Sequence, residues 1–593
     1  TRLSLLNNWL PLPEATIKMS MARGKMNSKR WLLLLTLILA LTFMPAYPGI
    51  KVMPVDEIRP GMKGTGYSVF SGTKPQEFDV EIIDVIHRTS PRGDLILARL
   101  AGAGLEKTGV IAGMSGSPVY IDGKLIGALA YAWSFAKEPI AGITPAAEML
   151  KIWDLPDSNK TRGQTRTSPL ERSNLNLPPI PLAISGFNKR LEEIITPNLS
   201  RLGFQPVAAG IATDDVDTAD LVPGGAVGVA LLDGDVRAAA VGTITHREGN
   251  RILAFGHPLF LAGATRLPMT GGRIHTVLPS LEISHKMFSP TRPIGIINQD
   301  RMTGISGIIG PQAPMIPVNV YLRSSATDDT YRFRVVDQEQ LTPDFLPIGL
   351  INIILETEGL LEEYTIESRM RLYLKSPAPA AEIRHIFTGT DAISAMFSKI
   401  NSELKMLFAN PLEEIALNQI EAELHFNPGR KSAQLVSARP DRTRLKPGEI
   451  LSVRLRLRDY RGEESEREIT IPIPATTPSG TIAITITTRD EFFAAEMGRA
   501  NKTLEPTSLK KLLKLLAETG REDELIVAGF ARTAGLTVGD KELPQPPPSL
   551  RQVLLATKSV GEIQPLGSSL LFKQVVKMDR VILGSANFEL EVK

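Results

Sequence analysis

The chain is built from short runs in which apolar and polar residues alternate, each closed by glycine or proline. Leu451-Ser-Val-Arg-Leu-Arg-Leu-Arg458, Ile469-Thr-Ile-Pro-Ile473 and Val318-Asn-Val-Tyr-Leu322 are examples. A two-residue period puts successive side chains on opposite faces of an extended strand, so such runs suit half-buried β-strands and not helices. With 48 glycines, 44 prolines and 6% aromatic residues, the sequence predicts a mainly β protein of many short strands. Asp122-Gly123, flanked by β-formers, predicts a hairpin. Helical spacing appears near 145–153, 188–203, 343–358, 391–424 (with a break at Asn410-Pro411) and 508–518.

A length of 593 residues implies several domains. We expect a leader over 1–50, a β unit over 51–155, and a polar, proline-rich linker over 156–187. A second β unit spans 188–310, an α+β accessory domain 311–376 and a helical segment 377–430. A β-sandwich-like domain covers 431–490 and a mixed C-terminal region 491–593.

The leader holds six basic residues and one acid, Glu14, whereas the rest of the chain carries 61 basic and 63 acidic side chains. The formal charge of +3 is therefore a property of the leader, and nucleic-acid binding loses its electrostatic basis. Lys29-Arg30 precedes the apolar run Trp31–Phe43, the pattern of an export signal, with Met26 as the expected start. The uncharged stretch to Ile50 also fits an N-terminal membrane anchor. The expected location is the periplasm, the cell envelope or outside the cell. The chain has no cysteine, which excludes disulfides, thiolate metal sites and a cysteine nucleophile. A covalent catalyst must then be a hydroxyl, an amine or a carboxylate.

The sharpest local signal is Gly113-Met-Ser-Gly-Ser-Pro118. Glycines on either side let the backbone turn tightly and expose the Ser115 hydroxyl. The amides of Gly113 and Ser115 can then converge on one point, as a tetrahedral oxyanion requires. The same residues also suit a plain turn between strands. A serine nucleophile needs a base, and with no lysine neighbour in the sequence the histidines come first. His257, in Ala254-Phe-Gly-His-Pro258, is expected at a strand end on a sheet rim, held but reachable. His87 and His246 are the alternatives, His246 being expected in a solvated hairpin turn. Ser117 is expected to pack within its own turn. No paired-histidine or calcium-loop spacing occurs, and Asp214-Asp215-Val-Asp217 suits a solvated loop, so no metal and no cofactor are expected.

These residues resemble the SpoIVB peptidases of family S55. Gly113-Met-Ser-Gly-Ser-Pro-Val-Tyr-Ile-Asp-Gly-Lys-Leu-Ile-Gly-Ala128 is similar to the family's serine box, with Leu105-Glu-Lys-Thr-Gly109 and Phe78-Asp-Val-Glu-Ile82 before it. Ala240-Val-Gly-Thr-Ile-Thr245, Leu253-Ala-Phe-Gly-His-Pro258 and Gly304-Ile-Ser-Gly-Ile-Ile-Gly310 are similar to its histidine block. The resemblance implies a chymotrypsin-like double β-barrel, and the residue patterns beyond it suggest β-sandwich and mixed α+β accessory domains. It implies Ser115 as nucleophile and His257 as base. The serine block here precedes the histidine block, the reverse of the sporulation members, as in a permuted order of the two barrel halves. No carboxylate matches the family's acidic position, and Asp94 is the nearest acid.

The expected function is an exported serine endopeptidase acting on a protein or peptide substrate, with C-terminal domains that bind an envelope partner. The rival is a non-catalytic envelope binding or scaffold protein that keeps the peptidase fold. An α/β-hydrolase fits poorly, because the flanks of Ser115 suit strand–turn–strand and not strand–turn–helix.

Overall fold

The computed structural model describes residues 50–593 apart from 91–92, 157–178, 211–219, 326, 358–362, 376–379, 501–505, 507, 539–540, 545 and 557–562. The leader, most of the expected linker and the Asp214–Asp217 run lie outside the described residues. Among the described residues no helix is long and apolar enough to cross a membrane.

The protein is mainly β. Six strands form a closed barrel: β1 (Lys63–Ser68), β2 (Gln76–Ser90), β3 (Gly93–Ala101), β4 (Pro118–Ile121), β5 (Lys124–Ala132) and β6 (Ile140–Pro145). Their order around the barrel is β1-β2-β3-β6-β5-β4. Alternation along these strands delivers Phe78, Val80, Ile82, Ile96, Leu100, Val119, Ile121 and Ile143 to one core. The short helix α1 (Leu105–Thr108) follows β3, and α2 (Ala146–Leu150) follows β6.

Beyond β7 (Ile180–Ser185), α3 (Lys189–Arg201) and β8 (Phe204–Ala209), a second set of six strands follows. These are β9 (Ala226–Gly234), β10 (Ala238–Glu248), β11 (Arg251–Ala254), β12 (Gly263–Leu278), β13 (His285–Arg301) and β14 (Gly304–Ile309). They pair in the order β9-β12-β13-β14-β11-β10, and β10 pairs back to β9, so the circuit closes. Written from its first strand, this is the same first-second-third-sixth-fifth-fourth order as the first barrel. The sequence shows no internal repeat, yet the topology repeats, because closure constrains hydrogen-bond partners and not side-chain identity.

The second barrel is one part of a thirteen-stranded sheet that also takes in β7, β8 and five strands between Met315 and Pro428. One apolar core runs from Ile180 to Leu516 through this body, so the segments over 311–376 and 377–430 share it. The stretch 391–424 is not helical throughout. Its helix ends at Phe408, and Leu417–Pro428 is a strand pairing in parallel with Met315–Arg323. Asn410 makes the break: its Oδ1 accepts the amides of Leu412 and Glu413 and closes a turn.

The last part packs two sheets on one core. One holds Ser432–Pro440, Ile450–Asp459, Glu464–Pro472 and Val581–Leu583, and the other holds Arg444–Leu445, Gly480–Thr488, Glu524–Val538, Lys541–Leu543, Ile563–Lys577 and Ala586–Val592. The sandwich thus extends past residue 490 and is completed by the C-terminal strands.

A buried ionic clasp ties this sandwich to the body before it. His385 lies 2.9 Å from Glu403 through Nε2 and 2.9 Å from Glu522 through Nδ1. Burial alone would favour the neutral ring, but the two carboxylates outweigh it and raise the pKa to about 9. The folded value lies above the ordinary 6.5, so the clasp contributes fully below that pH and is lost as pH rises through about 9. We predict that the melting temperature falls between these limits, for a loss of up to about 3 kcal/mol. Glu403→Gln should flatten the dependence, and a wild-type melting temperature unchanged across the range would contradict the clasp.

Candidate active site

The loop from Ala112 to Ser117 joins the third and fourth strands of the first barrel. Met114 plugs it into that barrel's core, where complete burial contributes on the order of 2 kcal/mol. Gly113 and Gly116 have φ of +97° and +98°, a region that favours glycine. At Gly116 a Cβ would lie 1.9 Å from the Thr243 carbonyl oxygen and 2.4 Å from the Phe255 nitrogen, so no other residue fits.

Every carbonyl of this loop accepts a hydrogen bond. Ala112 accepts from the Lys286 amide at 3.2 Å, Met114 from the Ser117 amide at 2.8 Å, and Ser115 from the Thr243 amide at 2.8 Å. Thr243 Oγ1 donates to Gly113 at 2.9 Å and Thr245 Oγ1 to Gly116 at 2.8 Å. The amides are also taken up, with two exceptions. Ala112 donates to Ser284, Met114 to Ile111, Gly116 to Leu129 and Ser117 to Met114. Among the described residues no acceptor meets the amides of Gly113 or Ser115. Ser115 is half-buried, and its hydroxyl likewise has no hydrogen-bond partner among the described residues.

His257 occupies the matching place in the second barrel, between its third and fourth strands. It follows two left-handed residues, Phe255 at φ +69° and Gly256 at +68°. This turn leans on the first barrel, where Thr144 Oγ1 donates to the Gly256 carbonyl at 2.7 Å, and on its own barrel, where the Phe255 amide donates to Thr243 at 3.2 Å. The two loops therefore meet at Thr243, which bonds both Ser115 and Phe255.

The imidazole of His257 is fully buried, not reachable at a rim as its place at a strand end suggested. The cause is tertiary: the turn packs between two barrels that the sequence alone does not bring together. Nδ1 lies 2.9 Å from the carbonyl oxygen of Pro258. A carbonyl only accepts, so the proton sits on Nδ1 and the lone pair on Nε2, the tautomer a general base uses.

The carboxylate that organises this loop is Asp300, which sequence reasoning missed. It is fully buried on β13 and accepts the amides of Leu259 at 2.8 Å, Phe260 at 2.6 Å and Ala262 at 3.2 Å. Its signal was faint: one acid ending the otherwise uncharged run Pro293-Ile-Gly-Ile-Ile-Asn-Gln-Asp300. Asp94 sits elsewhere, 3.2 Å from His87 and accepting the Arg88 amide at 2.9 Å. The Arg88 amide first, and His87 after it, hold the Asp94 carboxyl below its ordinary range. His246 is not a solvated turn residue but half-buried against the Trp153 ring, and burial lowers its pKa.

A lysine also reaches the serine loop, against the sequence expectation. Lys286 is fully buried on β13, with Nζ 2.9 Å from Ser68 Oγ and 3.4 Å from Thr243 Oγ1. Ser117, fully buried, donates to Ser68 Oγ at 3.0 Å, so it bonds across to β1 and not within its own turn. Among the described residues no cluster of histidine and acid suits a metal ion.

Residues 45–150, which span the first barrel and its serine loop, match the model of the SpoIVB peptidase S55 family. This segment is similar to that family. It marks the chain as a serine-type peptidase, a hydrolase. The match ends before the second barrel and His257. No curated protein and no solved structure is matched by the chain.

Asp300→Asn turns an acceptor with two oxygens into one that aims an NH2 group at amide donors. We predict a stability loss of about 2–3 kcal/mol by chemical denaturation. Amide hydrogen exchange over 258–262 should also speed up. Exchange at the wild-type rate would show that Asp300 does not hold the His257 loop.

Proposed function

We propose that the protein is an exported serine endopeptidase in which Ser115 is the nucleophile and His257 the general base. Ser115 Oγ attacks the scissile carbonyl carbon while Nε2 of His257 takes the hydroxyl proton. The tetrahedral oxyanion is held by the amides of Gly113 and Ser115. His257 then passes the proton to the leaving amine, and water frees the acyl group by the same route. What supports this reading most is the hydrogen-bond accounting of the serine loop. In a segment where all other backbone groups are bonded, the two amides left over are those an oxyanion needs.

The Pro258 carbonyl would set the His257 tautomer, with Asp300 fixing the backbone around it. A carbonyl stabilises the imidazolium less than a carboxylate does, so this pair is expected to be slower than a full triad. The export signal supports a substrate outside the cytoplasm, and the leader also suits a membrane anchor. The C-terminal sandwich is proposed to bind an envelope partner. The complete burial of His257 favours one rival, a non-catalytic scaffold that retains the peptidase fold.

A fluorophosphonate probe separates the two. We predict that wild type is labelled, Ser115→Ala is not, and His257→Ala is slowed by at least about 10³-fold. An unlabelled wild type, or equal labelling of Ser115→Ala, contradicts the peptidase reading. Full labelling of His257→Ala moves the base to another residue, His87 first.

A further inference from the structure

The amine of Lys286 lies beneath the serine loop, and the chemistry proposed above does not use it. Its stem passes Gly113 so closely that a Cβ there would meet Cδ at 3.2 Å and Cγ at 3.4 Å. The groups that face the amine are the hydroxyls of Ser68 on β1 and Thr243 on β10. Across the β12 ladder its partner is Val277, and its neighbour on β13, His285, has a pKa lowered by its own burial. Among the described residues no carboxylate pairs with Lys286, and burial alone lowers its pKa to about 7.

The amine donates both of its hydrogen bonds, to Ser68 and to Thr243. Ser117 also gives its proton to Ser68 Oγ, and Thr243 gives its proton to the Gly113 carbonyl. Lys286 therefore joins the Ser117–Ser68 bond to the Thr243–Gly113 bond, and either protonation state has the protons to do so.

We propose that Lys286 is a positioning residue for the peptidase reaction, a buried amine that links Ser68 to Thr243 and fixes the turn carrying the Gly113 and Ser115 amides. This rests on the Ser115 reading above. Thr243 is the pivot, since its side chain holds Gly113 and its backbone holds Ser115.

Two variants of the full chain separate hydrogen bonding from bulk. Lys286→Gln keeps an NH2 donor for Ser68 and Thr243, while Lys286→Met keeps only volume. Fluorophosphonate labelling of Ser115 is timed for each. Lys286→Gln should keep the rate within roughly threefold of wild type. Lys286→Met should be at least about tenfold slower. Equal rates for the two variants would overturn the proposal.

Hydrogen exchange over 111–117 gives a readout free of activity. Faster exchange in Lys286→Met than in Lys286→Gln supports the positioning role, and equal exchange overturns it. If wild type fails to label, the peptidase reading falls and the exchange comparison alone decides the role of Lys286.

Discussion

Four of the five carbonyls between Ala112 and Gly116 are held by donors from the other barrel: the Lys286 amide, the Thr243 amide and the hydroxyls of Thr243 and Thr245. The rest of the site depends on this seam. A loop with two left-handed glycines has many conformations when free, and each such bond contributes only about 1 kcal/mol. Four together, with Met114 anchored on the opposite side, leave the loop one shape. The matched family segment supplies the serine loop, but the second barrel gives that loop its form.

Both barrels have the same strand order, and each offers the loop between its third and fourth strands to the seam. Neither loop is finished by its own barrel. The Gly256 carbonyl is taken by Thr144 of the first, as the Ser115 carbonyl is taken by Thr243 of the second. The order of the two barrels along the chain matters little to such a site, because it is defined by geometry. Without a disulfide, the fold relies on its cores and on a few buried polar clasps. His385 between Glu403 and Glu522 holds its proton, while Lys286, with no carboxylate beside it, has an amine whose pKa burial lowers.

Much of this was legible in the sequence. Period-two alternation gave the strands at Phe78–Ile86 and Leu451–Arg458, and Asp122-Gly123 gave the turn between β4 and β5. Gly113-Met-Ser-Gly-Ser gave the serine loop, since glycine on both sides of a serine is a local signal. What was not legible depends on contacts between distant segments. Asp300 and Lys286 are an ordinary acid and an ordinary base in sequence, and only barrel closure brings β13 beneath both loops. The burial of His257 has the same origin. Leu417, Ile420 and Leu424 also suit a helix, and it is parallel pairing with Met315–Arg323 that makes Leu417–Pro428 a strand.

The central claim is that the Gly113 and Ser115 amides and the Ser115 hydroxyl face one reacting centre, and a crystal structure of the phosphonylated protein tests it most directly. Phosphorus is expected on Ser115 Oγ, with the phosphoryl oxygen about 2.7–3.1 Å from both amides. Nε2 of His257 is expected within hydrogen-bond reach of the adduct. Phosphorus on another residue, or a phosphoryl oxygen turned away from the Gly113 and Ser115 amides, would contradict it.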